Sequence, residues 1–211
     1  MTQVTRHTGF SGLLQKVNEQ GFADVIFDLD GTLVDSAPGI VRTILHVLAV
    51  NEITPVRTVD HTLVGPPLEA MFEMIIEKKD RPHLNTLIDG YKCFYDLEGY
   101  KESKPFEGVD ETMLFLKDMG KGMHIATNKR YTPTQSILRY LGWEKNFNSV
   151  YAVDSHGTRF ANKADMLARV IQNQVLAKEA VLYVGDTKND EEAAAANGIA
   201  YYHAFWGYDN S

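Results

Sequence analysis

Short apolar runs alternate with helical periodicities through the second half of this chain, and that alternation restricts the fold more than any other feature. Residues 123–127 (MHIAT), 149–154 (SVYAVD), 180–186 (AVLYVGD) and 199–204 (IAYYHA) read as strands. Residues 109–119, 132–142, 163–172 and 188–198 read as the helices around them, with Pro133 near one start and Gly142 at its stop. Strands alternating with helices imply a parallel sheet with helices packed on its faces. An earlier strand at 23–27 carries Val25-Ile26-Phe27 without a polar break, as a strand covered on both faces should. Ahead of it, residues 10–19 read as a short amphipathic helix with Phe10, Leu13, Leu14 and Val17 on one side.

From about 38 to 98 the texture is helical throughout. Ile40, Val41, Ile44, Leu45 and Leu48 form one stripe, and Leu68, Met71, Phe72, Ile75 and Ile76 a second. Leu84, Leu87, Ile88, Tyr91, Phe94 and Tyr95 form a third. The organisation is therefore a strand–helix alternation interrupted after its first strand by a helical block, with linkers near 34–38 and 100–106.

Charge and composition narrow the function. Among 211 residues, 44% are apolar and the net charge is −7, which argues against an electrostatic grip on nucleic acid or an anionic membrane. No apolar run approaches the length of a membrane span. Cys93 is the single cysteine and cannot make an internal disulfide; its place in an apolar helical pattern reads as filler. The first ten residues lack the layout of a signal peptide, so a cytoplasmic location is expected. The seven histidines show no metal spacing.

In sheets of this kind, ligands bind beyond the carboxyl ends of the strands. Asp28 and Asp30 end the first strand there, Thr127 and Asn128 end the second, and Asp186 ends the fourth with Asp190 four residues on. Lys163 opens the helix after the third strand, at the end where the macrodipole disfavours a cation unless an anion is held nearby. A turn explains Asp30-Gly31 but not Asp28, at the buried end of an apolar run. A divalent cation would offset the repulsion between the two acids. Asp186 also reads as a helix N-cap, and Glu191 and Glu192 as residues favoured by the helix dipole. An oxygen-rich cluster with few ligands suits Mg²⁺, which usually keeps waters and pairs with a substrate phosphate. For Lys129 and Arg130 a substrate role and plain exposure read alike.

Together, Asp-Leu-Asp-Gly-Thr-Leu at 28–33, Ala-Thr-Asn at 126–128, Lys163 and Gly-Asp-Thr-Lys-Asn-Asp at 185–190 resemble the four motifs of the haloacid dehalogenase-like hydrolases, in order, across roughly 22–207. The resemblance implies a Rossmann-like α/β core over 1–35 and 104–211, with 1–20 as an extra N-terminal helix. It also implies a small inserted α-helical cap over 36–103. Asp28 would be the nucleophile that forms an aspartyl-phosphate. Asp30 would be the general acid and then the base that activates water. Asp28, the Asp30 carbonyl oxygen, Asp186 and Asp190 would hold Mg²⁺, and Gly31, Thr32, Thr127, Asn128 and Lys163 would surround the phosphoryl group.

Within the family, Asp30 argues against dehalogenation, because dehalogenases have no alcohol leaving group to protonate and usually lack this second aspartate. The cap loop Gly65-Pro66-Pro67 lacks the arginine that hexose-phosphate mutases carry there, and reads equally as a specificity loop or a tight turn. The loop and Ala-Thr-Asn-Lys look most like phosphoglycolate phosphatase-like members, with a small phosphate ester as the partner and a monomer or homodimer as the assembly. Nucleotidase, pyrophosphatase and sugar-phosphate activities are the alternatives. A phospho-receiver domain also combines acids, Thr and Lys on a parallel sheet, but lacks the helical insert and the Asp-x-Asp pair. Relatives continue into a final helix where this chain stops after Phe-Trp-Gly-Tyr-Asp-Asn, so the N-terminal helix is expected to cover that surface through Phe10, Leu13 and Leu14.

Overall fold

The computed structural model describes residues 10–208 apart from 156, 158 and 159. The signal-peptide reading of the first residues, except Phe10, and His156 lie outside the described residues. Five parallel strands form the main sheet: β1 (Asp24–Phe27), β4 (Gly122–Thr127), β5 (Ser149–Ala152), β6 (Val181–Gly185) and β7 (Ala200–His203), in the order β5-β4-β1-β6-β7. β1 is central because its apolar run has to be covered on both faces. Val25 and Phe27 face one apolar cluster with Met123, Ile125, Leu182 and Val184, while Ile26 faces another with Ala126, Tyr183 and Val181. β7 is an edge strand and only partly buried along its length.

Helices α5 (Val109–Asp118), α6 (Tyr131–Tyr140), α7 (Lys163–Gln174) and α8 (Lys188–Asn197) connect these strands. α1 (Phe10–Gln20) packs on the first cluster through Phe10, Leu13 and Val17, and Lys16 donates to the Tyr201 carbonyl at 3.0 Å. Leu14 is half-buried rather than buried, because the stripe that faces the sheet runs through Phe10, Leu13 and Val17. Leu13 is fully buried. Its replacement by Ala should therefore cost about 2–5 kcal/mol in a urea unfolding titration. No loss would mean that α1 is dispensable to the core.

Between β1 and α5 the chain leaves the sheet. Two-residue strands β2 (Val34–Asp35) and β3 (Lys104–Pro105) pair antiparallel, so the outgoing and returning linkers are joined to each other. Their pairing was invisible in the sequence because two residues carry no periodicity. The insert holds α2 (Ala37–Val50), α3 (Leu68–Glu73) and α4 (Leu84–Leu97) around its own apolar cluster, including Ile44, Phe72, Leu87 and Tyr91. Ile75 and Ile76 continue the second stripe past the end of α3 and remain buried. Leu45 is exposed and Val47 takes its inward place on α2.

Cys93 is exposed rather than core filler. The inward stripe of α4 is Leu87, Tyr91 and Tyr95, and Cys93 lies two residues from each tyrosine, roughly 200° around the helix. Among the described residues no helix is long and apolar enough to cross a membrane.

Candidate active site

Parallel pairing in register brings the carboxyl ends of β1, β4 and β6 side by side. Asp28 follows β1, Thr127 closes β4 and Asp186 follows β6. Lys163 enters from the first position of α7, where Asn162 supplies the N-cap, and Asp190 enters from the first turn of α8. Lys163 is buried, and its Nζ lies 2.9 Å from Asp28 Oδ2 and 3.0 Å from Asp190 Oδ1. It also donates to the Ala126 carbonyl at 3.2 Å and to the Tyr183 hydroxyl at 3.1 Å. Burial alone would push this ammonium toward neutrality. Asp190 and Asp28 outweigh that and hold it protonated, with its pKa raised.

The acids differ in environment. Burial pushes Asp28 up to about 7, Lys163 opposes this, and Asp190 and Asp186 add to it by repulsion. Its Oδ1 accepts from the Leu29 N–H at 2.7 Å. Burial lifts Asp186 to about 6 against hydrogen bonds from the Tyr208 N–H and the Thr32 hydroxyl. Burial would raise Asp190 too, but Lys163 and hydrogen bonds from Thr187 and Tyr183 hold it below the ordinary range.

Carboxylate oxygens of Asp28, Asp186 and Asp190 lie within 4.8 Å of one another. With all three ionised, the single buried ammonium leaves two negative charges uncompensated. One divalent cation that prefers hard oxygen ligands matches both the charge and the donor set. Gly31 makes the approach possible: its φ is +77°, and a Cβ there would lie 2.2 Å from Asp186 Oδ2.

Asp30 stands apart from that trio. Lys129 Nζ donates to both of its oxygens at 3.0 Å, and the Ser36 hydroxyl donates to Oδ1 at 2.6 Å. Lys129 also donates to the Tyr95 hydroxyl of α4 at 2.9 Å, and its side chain is 7% exposed. Plain exposure is therefore the wrong reading of Lys129. Arg130 makes a two-pronged pair with Asp96 at 2.9 and 2.5 Å. These adjacent residues tie the end of α4 to the sheet.

Other positions sort as follows. Thr127 is buried and accepts from the Lys129 N–H at 3.2 Å, whereas Asn128 is exposed. The Thr32 hydroxyl donates to Asp186 at 3.2 Å, which engages it with an acid of the cluster. The N-cap of α8 is Thr187, in a reciprocal capping box with Asp190, so Asp186 is left to face the cluster. Tyr183 reads in sequence as one more apolar residue of β6. Its hydroxyl donates to Asp190 at 2.7 Å.

A family model described as haloacid dehalogenase-like hydrolase matches residues 25–204. The chain belongs to this family. It is 32% identical over 185 residues to the tyrosine-protein kinase PtkA of Mycobacterium tuberculosis, covering 87% of this chain and 62% of that relative. The solved structure of PtkA superposes with a TM-score of 0.75, covering 89% of this chain and 85% of that one. A phosphoglycolate phosphatase of Xylella fastidiosa is 30% identical over 185 residues, 87% of this chain and 80% of the relative. A 5'-nucleotidase of Pseudomonas aeruginosa is 28% identical over 190 residues, 89% and 84% respectively.

In this haloacid dehalogenase-like fold an open cleft of about 520 Å³ runs beside the linkers between insert and core. Asp35, Phe106 and Tyr208 line its core side, and Val41, Val59 and His61 its insert side. Gly65, Pro66 and Pro67 are exposed and do not line this cleft.

Proposed function

We propose that this protein is a Mg²⁺-dependent phosphomonoester hydrolase that acts on a small phosphorylated metabolite through an aspartyl-phosphate, phosphoglycolate phosphatase-like in substrate. The observation that carries this reading is the buried trio Asp28, Asp186 and Asp190 around Lys163 at the carboxyl edge of the sheet. Asp28, the Asp30 carbonyl oxygen, Asp186 and Asp190 would hold the ion. Mg²⁺, when bound, supplies charge neutralisation for the phosphoryl oxygens and the acids.

Asp28 attacks phosphorus, so a carboxylate O–P bond forms as the ester O–P bond breaks. Asp30 protonates the departing oxygen and later accepts a proton from the water that opens the acyl-phosphate. Lys129 and Ser36 orient Asp30 for that work, and Lys163 and Thr127 steady the phosphoryl oxygens. The helical insert, as a cap, excludes water during transfer.

The test is phosphate release from 2-phosphoglycolate, nucleoside monophosphates, sugar phosphates and pyrophosphate, with and without EDTA. Saturable release that EDTA abolishes is expected, with 2-phosphoglycolate preferred. Release unaffected by EDTA would remove the metal, and no release from any ester would remove the hydrolase. The identity to PtkA favours a second reading, phosphoryl transfer to a protein tyrosine. Label passing from ATP to a tyrosine peptide, without steady phosphate release, would select it.

Protons compete with the cation for Asp28 and Asp186. Both acids sit above their unfolded value of 3.8, so the native state holds more protons than the unfolded chain between about 4 and 7. Their contribution to metal-free stability therefore falls as pH rises through that window, while Mg²⁺ affinity rises. At a fixed Mg²⁺ concentration, the Mg²⁺-induced gain in Tm should be larger at about pH 8 than at about pH 5.5. An equal gain at both would contradict the ligand assignment.

A further inference from the structure

The family model ends at residue 204, but residues 205–208 reach back over the acid cluster. Trp206 Nε1 donates to the Thr32 carbonyl at 2.8 Å, and Phe10 of α1 packs on the Trp206 ring at 4.0 Å. Gly207 crosses the nucleophile loop so closely that a Cβ there would lie 2.3 Å from the Gly31 carbonyl oxygen and 2.4 Å from Asp186 Cβ. The Tyr208 N–H then donates to Asp186 Oδ2 at 3.0 Å.

The Tyr208 side chain points into the hinge. Its hydroxyl accepts from the Ser36 N–H at 2.7 Å and the Ala37 N–H at 2.9 Å, and donates to Asp35 Oδ1 at 2.9 Å. Ser36 and Ala37 open α2, the first helix of the insert, and no side chain of that helix caps its N-terminus. Such orphan amides need an acceptor. The phenol of Tyr208 provides one for both, Asp35 Oδ1 also accepts from the Ala37 N–H at 3.2 Å, and Asp35 takes the phenol's proton so that its lone pairs are free for the amides. Phe106, from the returning linker, meets the same ring edge-on at 6.4 Å. One residue thus touches both linkers and an acid of the candidate metal site.

We infer that Tyr208 is a positioning residue that couples the orientation of the helical insert to the metal-holding geometry of Asp186. Tilting α2 must either break the phenol's bonds or drag the strap, and dragging the strap moves the N–H that fixes Asp186. Asp35 takes part by orienting the phenol. This inference rests on the metal-site reading above, but not on the identity of any substrate.

The experiment needs no substrate. Tyr208→Phe keeps the ring and the backbone N–H and removes only the hydroxyl, with its bonds from Ser36 and Ala37 and its bond to Asp35. Amide exchange should rise at Ser36, and less at Ala37, which keeps Asp35 Oδ1 as an acceptor, and the Mg²⁺ affinity from calorimetry should fall about tenfold. Asp35→Ala should weaken it too, and the double variant should be no worse than Tyr208→Phe alone. In the unaltered protein, linkage requires Mg²⁺ to slow exchange at those same two amides. Faster exchange with unchanged Mg²⁺ affinity would reduce Tyr208 to a helix cap and overturn the coupling. Exchange in the unaltered protein that ignores Mg²⁺ would overturn it as well, even if the variants fail to fold. An unaltered protein that binds no Mg²⁺ would sink the metal-site reading and this coupling with it, whereas failure to find a hydrolysed ester would touch neither readout.

Discussion

Asp28→Asn should abolish phosphate release while leaving the fold intact. Asn cannot form the carboxylate–phosphorus bond, and loss of a covalent nucleophile typically costs a thousandfold or more, so a fall of at least about 10³ in kcat is expected. The fold should survive because the side chain keeps its shape, and Lys163 retains Asp190 at 3.0 Å, the Ala126 carbonyl and the Tyr183 hydroxyl. At about pH 8 without metal, removing one of three crowded carboxylates should even raise Tm slightly. Steady-state kinetics beside a thermal melt checks both halves. A kcat within a few-fold of the unaltered protein would end the aspartyl-phosphate reading.

Lys163→Met should have the largest effect on stability. The ammonium is the one cation paired with the buried acids Asp28 and Asp190 among the described residues. Methionine fills a similar volume but leaves those carboxylates uncompensated. Breaking a buried pair on one side costs about 3–5 kcal/mol, so urea unfolding at about pH 8 without metal should show a loss of that order. The acids can instead take up protons, and the deficit should shrink as pH falls toward about 6. Mg²⁺ should also recover part of it, because a cation would again balance the charge. Unchanged stability at about pH 8 would mean that the acids do not depend on Lys163.

Most of the α/β architecture was legible because each strand carries its own local signal. Val25-Ile26-Phe27 is an uninterrupted apolar run, and an uninterrupted run demands cover on both faces, which only a central strand receives. Each carboxyl end then falls at a position countable along the chain, so Asp28, Thr127 and Asp186 could be placed at one edge before any contact was known. Lys163 was legible for a different reason: a cation at a helix start needs an anion, and its partners turn out to be Asp28 and Asp190.

Other features depend on partners far away in sequence. Lys129 left a substrate role and plain exposure equally open until Asp30, 99 residues earlier, and Tyr95, 34 residues earlier, closed around it. Nothing in the strand run 180–186 singles out Tyr183, whose hydroxyl meets Asp190 and Lys163. Cys93 failed in the opposite sense, since an apolar pattern with several inward candidates does not say which of them the neighbouring helices will cover.

Sequence alone determined the strand–helix order, the place of the insert and the set of acids at the sheet edge, because periodicity and strand termini are local properties of the chain. Tertiary structure alone decided how those acids divide. Asp28, Asp186 and Asp190 gather around Lys163, while Asp30 goes to Lys129 and Ser36. It also decided what Asp35 meets: the phenol of Tyr208, 173 residues away, and the Ala37 N–H, while the phenol itself accepts from the first amides of α2. No local pattern can encode that contact, because its geometry exists only once β7 has paired and residues 205–208 have crossed the loop that follows β1.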